Sequence, residues 1–387
     1  MRFALDSGAH LAFPFPSSTP PRPGSAMSNP LTPAARRSGP GHLPARRQVL
    51  RAGVAAAAAL AMPAVVRAQQ KILYVNSQGG PWEAAARKHL FEPFTAQTGI
   101  EIKSAPGASF AKLALQARTR SYEFDIQTVG APSVVQAMNE DLLEPINFDI
   151  LKRDALPANL IFENGVGNHA YSTNICFNTT KFAPGSIGTW QDFWDLQRFA
   201  GPRALGRTLS QTIVFALLAD GVPRDQLYPI DLDRVFASLD RIKPAMRVWW
   251  TTGPQSRQLL GDGEVDAASM WHAHGVALRD GGAPIEIVWN EFTMDRTYWI
   301  VSKGTPRADY AWEFINFALQ PKSNAGFCVD GSYGPLNPAA FEYLTPEQAL
   351  NMPTNPEYAA GAIEFDGRRM GEVMTPAERR FQRWLQQ

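Results

Sequence analysis

The sequence predicts an α/β fold with a mostly parallel sheet, and three observations carry that prediction. Extended apolar segments alternate with stretches in which apolar residues recur at helical spacing. Glycine-bearing turns stand between a strand and the helix that follows it. The composition, 45% hydrophobic with ten Trp and 22 Phe in 387 residues, supplies enough apolar surface for one large core or two medium ones. No run of about 18 uninterrupted apolar residues occurs, which argues against a polytopic helical membrane protein. The net charge of +1 argues against nucleic-acid binding by bulk electrostatics.

The elements follow in order. Lys71–Asn76 is β-rich, and Ser77-Gln78-Gly79-Gly80 is a turn. Pro81 suits a first helical turn, and Trp82, Ala86, Leu90 and Phe94 continue at helical spacing. Ile100–Ile102 reads as a short strand and Phe110–Ala117 as a helix. Phe124–Val129 reads as a strand whose Gly130-Ala131-Pro132-Ser133 turn opens another helix. Ala170–Asn178 is a long extended segment without a breaker. Thr189 and Asp192 have the spacing of a capping box. Helices follow near 209–219 and, capped by Asp231, near 232–242. Val265–Trp271, Ile285–Trp289 and Thr297–Ser302 read as strands. Ala308–Leu319 is an amphipathic helix that Pro321 is expected to end, and 345–387 is helical and irregular.

The first 68 residues stand outside this pattern. Residues 1–45 are rich in Pro, Ser and Gly and lack any apolar period; Met27 offers a second start. Arg46-Arg47 and Arg51 then precede an apolar run from Ala52 to Ala64 that ends in Val66-Arg67-Ala68. A basic stretch, a short apolar run and a small-x-Ala site make a signal peptide, expected to be cleaved near Ala68. Its paired arginines resemble a twin-arginine signal, and a general secretory signal fits as well. Either route leads to the periplasm. The leader holds eight of the 37 basic residues and one of the 36 acidic ones, so the remainder carries a net charge of −6.

Catalytic motifs are absent: there is no G-x-S-x-G, no H-E-x-x-H and no P-loop. His272 and His274 have metal-like spacing if they lie on a strand, but two His without a nearby carboxylate or Cys make a poor site, and a pair that binds no metal is expected. Cys176 and Cys328 suit either two separate buried thiols or a disulfide. Trp82 and Trp271 stand beside turns and Tyr171 in the long extended segment, where aromatic walls could hold a small ligand, and core packing accommodates the same residues. Turns after parallel strands are where α/β sheets bind ligands, and the helix starts after Gly80 and Gly130 could receive an anion.

The segments KILYVNSQGGPWEAAARKHLFEPFTAQTGI, FDIQTVGAP, YSTNICFNTTKF, TWQDFWDLQRFAGPRAL, LLGDGEVDAASMWHAHGVAL and YWIVSKGTPRADYAWEFINFALQP, with YGPLNPAA, occur in this order. Together they resemble the periplasmic substrate-binding proteins of bacterial ABC importers, in the branch that contains the spermidine/putrescine-binding proteins. The resemblance implies a type II fold of two lobes with a ligand cleft between them. One lobe would be 69–172 with 292–340, the other 173–291 with 341–387. Crossings would lie at Ala170–Asn178 and near Asn290–Thr297. It also implies a small polar organic ligand, polyamine-like or amino-acid-like, an ABC permease and ATPase as partners, a monomer, and neither catalysis nor a cofactor nor nucleic acid. Trp271 stands at the family's cleft tryptophan. Where the polyamine binders place acids, this chain has Thr208, Ser210 and Gln211, and later Thr297 preceded by Asp295 and Arg296. Ser77, Gly80, Trp82, Tyr171, Gln211, Trp271, Asp295, Arg296 and Thr297 are therefore the expected ligand-binding residues. They suit an amino-acid-like compound, an organic cation with one acid or a small anion better than a polyamine, because two buried ammonium groups need partner carboxylates. A metal-binding protein of the same fold and a secreted hydrolase are the alternatives.

Overall fold

Two long strands run through the middle of the sheet, and their length sets the architecture. The computed structural model describes residues 71–387 except Phe365. The expected leader and its cleavage site lie outside the described residues. The strands are β1 (Ile72–Ser77), β2 (Glu101–Pro106), β3 (Ile126–Gly130), β4 (Gly165–Asn178), β5 (Arg203–Gly206) and β6 (Met246–Trp250). They continue as β7 (Ala267–Trp271), β8 (Ile285–Ile287), β9 (Phe292–Val301), β10 (Gly334–Pro335) and β11 (Ala362–Glu364). The sheet order is β2-β1-β3-β9-β4-β7-β5-β6, with β8 and β10 added to β4 and β11 to β9.

The flanks of the sheet are parallel and its centre is not. β1 pairs in parallel with β2 and β3, and β5 with β6 and β7. β9 runs antiparallel to β3 and β4, and β4 antiparallel to β7. The expected mostly parallel sheet therefore holds only outside the central pair. The register has a further consequence. β3 ends at Gly130, opposite Thr297, while β7 ends at Trp271, opposite Thr173, which in turn faces Thr293. The carboxyl ends of the two flanks thus meet β9 from opposite directions, only four residues apart, a gap of roughly 13 Å at strand rise.

Each flank has its own core. Leu73, Val75, Trp82, Phe94, Phe292, Trp299, Trp312 and Phe314 belong to the first. Phe177, Trp190, Phe193, Phe215, Leu239, Phe381 and Trp384 belong to the second, where Trp190 stacks on Phe215 with centroids 3.7 Å apart. Local chemistry places these elements. Thr189 and Asp192 form the expected capping box, worth about 1 kcal/mol, and start the short helix Trp190–Trp194. Asp231 caps Leu232–Ile242 through the Arg234 N–H.

Several expectations are corrected. The last long strand begins at Phe292 rather than Thr297, so Asp295 and Arg296 lie inside it. Pro321 does not only end one helix: it occupies the first turn of the next, Pro321–Gly331, where its missing N–H costs nothing. β8 stops at Ile287, short of Trp289. His272 and His274 lie on the first turn of helix His272–Asp280 and not on a strand. Cys176 and Cys328 are separate buried thiols.

Candidate functional site

The gap between the two sets of strand ends is lined by one face of β4 and β9. Side chains alternate across a strand, so partners in register share a face. Trp271, Thr173 and Thr293 form one row across β7, β4 and β9. Tyr171 and Asp295 form the next. Thr297 follows, beside Gly130 on β3 and touching His169, whose Nδ1 lies 3.1 Å from the Thr297 hydroxyl.

Asp295 is the centre of this surface. Its Oδ2 accepts a hydrogen bond from Gln211 Nε2 at 2.9 Å, reaching across from the first turn of helix Leu209–Ala219. Burial pushes its carboxyl up to about 6, and the Gln211 bond offsets this only in part. Burial, reinforced by the negative charge of Asp295, likewise drives the Tyr171 hydroxyl well above its ordinary range. Tyr171 meets Trp271 edge-on with centroids 6.4 Å apart.

Trp271 is held rigidly. It crosses Trp250 nearly at right angles at 5.6 Å and stacks against His274 at 6.1 Å. Gly253 opens helix Gly253–Gly261 directly against both, with no room for a side chain. Thr173 and Thr293, both fully buried, keep hydroxyls without a hydrogen-bond partner in the protein. His169 lies against Tyr333 with centroids 4.1 Å apart and the rings tilted by 37°, and burial depresses its imidazole to about 3, so it is neutral.

The structure thus brings together Tyr171, Gln211, Trp271 and Asp295, with Thr297 one row further. It does not place the four other candidates there. Trp82 is 2% exposed and packs edge-on against Phe91, Trp299 and Phe327, making it a core residue rather than a cleft wall. Its helix turns the indole inward, under the sheet. Arg296 follows Asp295 in the strand and so faces the opposite side, where it pairs with Glu364. Ser77 and Gly80 stand at the carboxyl end of β1, one strand beyond β3. The Ser77 hydroxyl is occupied by the Gly79 N–H at 2.9 Å, and Gly79 and Gly80 take positive φ to make the turn.

Sequence reasoning missed Thr173, Thr293 and Tyr333. Strand alternation through YSTNICFN and FTMDRTY would have found the two threonines once β9 was known to begin at Phe292. Tyr333 follows a left-handed Ser332 and carries no local signal.

The histidine pair does not form a metal site. His272 is buried, with Nδ1 accepting from the Ser172 N–H at 3.2 Å, while His274 points to Trp271. Two positions apart on a helix, the rings project in different directions. No group of three or more His, Cys, Asp or Glu able to hold a metal occurs among the described residues.

A polar and aromatic surface between opposed strand ends, on a central strand β4 that serves both cores, defines a two-lobed binding protein. The comparisons agree. Residues 89–360 match the family described as bacterial extracellular solute-binding protein, and the chain belongs to that family. It is therefore a solute-binding protein. It is 31% identical over 335 residues to the gamma-aminobutyric acid-binding protein of Pseudomonas aeruginosa, covering 84% of this chain and 94% of the relative. It is 25% identical to the spermidine/putrescine-binding periplasmic protein of Escherichia coli, covering 80% and 90%. Among solved structures, an ABC transporter substrate-binding protein from Bradyrhizobium japonicum superposes with a TM-score of 0.75 at 31% identity, covering 81% of this chain and 99% of the other. A GABA receptor superposes at 0.74 with 28% identity, covering 81% and 97%.

Proposed function

We propose that this chain is an exported, monomeric periplasmic protein that captures a small zwitterion of the gamma-aminobutyric acid class and delivers it to a permease and its ATPase. It carries out no chemistry on the ligand. Its lobes are 69–172 with 292–340 and 173–291 with 341–387, and each contains one of the two cores. Closure of the lobes traps the ligand.

The observation that carries this reading is Asp295, a largely buried carboxylate whose neighbour is an amide rather than a cation. Its charge is costly in the empty protein and is neutralised by a ligand ammonium. Tyr171 and Trp271 flank the adjoining methylenes and favour a cation on their faces. Asp295 is the only acid in the rows that line the gap, which suits one ammonium and not two. The start of helix Ala131–Asn139 lies beside Thr297 without a side-chain cap, and its free N–H groups suit a carboxylate at the other end. The GABA-binding relative supports this reading over the more distant polyamine binder.

Calorimetry with gamma-aminobutyric acid and putrescine at pH 7.5 tests it. Saturable binding of the zwitterion is expected, with putrescine at least about tenfold weaker because its second ammonium finds no carboxylate. Tighter binding of putrescine, or unchanged zwitterion binding in Asp295→Asn, would overturn the assignment.

A further inference from the structure

The side of β9 turned away from Asp295 backs a second cavity. It encloses about 360 Å³, within the roughly 300–1,000 Å³ typical of small-molecule sites. Met294 and Arg296 of β9, Leu160, Leu336 and Phe341 line it, together with the segment from Pro353 to Glu364. Five of the lining residues are proline, so the walls are stiff and the space is formed before anything enters it. The lining is mostly apolar and contains a single cation. Arg296 holds Glu364 through Nη2, while its Nε–H has no acceptor.

The walls come from both halves of the protein. Leu160 and Leu336 belong to the first core. The segment 353–364 crosses behind the central strands and is tethered to the second half. Arg224 donates to Asn290 Oδ1 at 2.6 Å and to the Ala360 carbonyl, and Ile363 enters the second core. Trp289 stacks on Tyr358 at 4.5 Å, the rings within 6° of parallel. A change in the angle between the halves therefore alters this cavity as well as the cleft in front of it. A molecule fitted to one shape of the cavity favours the matching angle.

We propose that this hinge-backing cavity is a second ligand site, for a compact apolar molecule bearing one carboxylate, and that its occupation shifts the affinity of the main cleft. The apolar body packs among the prolines, Leu336 and Phe341, and the carboxylate joins Arg296. The site itself does not depend on which solute the cleft takes; the coupling uses the proposed zwitterion only as a reporter.

Sodium benzoate is the probe, with the full chain, read by ligand-observed NMR and calorimetry. Wild type is expected to bind benzoate saturably. Ala359→Trp, which crowds the cavity from an exposed position, should abolish that binding, and Arg296→Met should weaken it about tenfold. Both variants should keep binding gamma-aminobutyric acid. Benzoate and the zwitterion should bind together, each changing the other's affinity by the same factor. Absence of saturable benzoate binding overturns the site. So does binding that survives both variants and competes with the zwitterion, because benzoate then sits in the main cleft. A mutual factor of one overturns the coupling. A chain that binds benzoate but no zwitterion refutes the proposed solute and leaves the cavity site standing.

Discussion

The two faces of the β4–β9 pair carry opposite charges in opposite circumstances. On one face, Asp295 is a carboxylate with an amide neighbour, beside the aromatic pair Tyr171 and Trp271. On the other, Arg296 is a cation already paired with Glu364. The two residues are adjacent in sequence and suggest mutual neutralisation when read as a line. Strand alternation separates them and assigns each a different partner. Arg296 has its charge met by Glu364 and keeps only its Nε–H for a further acceptor, whereas Asp295, largely buried without a counterion, is poised for a cation that arrives.

The strongest test of this contrast is Asp295→Asn. Removing the charge should weaken zwitterion binding by at least about a hundredfold, because an ammonium would then be buried without its carboxylate. The same variant should make the empty protein more stable. The folded carboxyl titrates near 6, above its ordinary value of 3.8, so the folded state holds the proton more tightly. The charged form therefore costs stability as the pH rises through that window, and the full cost is present above it. Urea unfolding at pH 7.5 should show a gain of about 1–3 kcal/mol that vanishes near pH 3.5. His169 and His272, held neutral by burial, destabilise wild type and variant alike as the pH falls below 6.5, so they cancel in the difference.

Trp271→Ala should come next, with loss of most of the ligand-induced rise in melting temperature. An unchanged rise would mean that the aromatic face of the pair is not the ligand's wall. The pH dependence is smaller per step. Affinity in wild type should be flat above pH 6 and fall about tenfold per unit below it, as Asp295 takes up its proton; calorimetry from pH 7.5 to 4.5 follows this. Gln211→Ala removes the one hydrogen bond that favours the ionised carboxyl. It should move the bend of that profile to higher pH and cost about threefold to tenfold in affinity at pH 7. Arg296→Met should do least. Zwitterion affinity should be unchanged and stability should fall by at most about 1 kcal/mol, the worth of a partly exposed ion pair. A large loss of zwitterion affinity in this variant would break the distinction between the two faces.

Much of the fold was legible because its signals are local. Pro81 and Pro132 at helix starts, the Thr189–Asp192 box and the Asp231 cap act within one turn of chain, and the structure uses all of them. The site was legible only in part. Trp82 and Trp271 look alike in sequence, each beside the junction of a strand and a helix. One became a core residue and the other a wall of the gap, because Trp82 faces Phe327 and Trp299 beneath the sheet while Trp271 ends a strand. The strand setting that would have given the histidine pair its metal-like spacing is absent for a related reason. The sequence contains no breaker between β7 and the helix that follows, so the boundary at Trp271 is set by the Thr173 pairing and not by a residue's own preference.

By itself, the sequence determined the α/β class, the acidic balance of residues 69–387 and the family resemblance, because periodicity, turn chemistry and composition are written residue by residue. The tertiary structure alone decided that β9 begins at Phe292, that its neighbour β4 is shared by both cores, and that two sets of strand ends converge on Asp295. Those outcomes depend on which strands lie side by side and in what register. Register is fixed by packing between residues more than a hundred positions apart, as Tyr171 and Asp295 are.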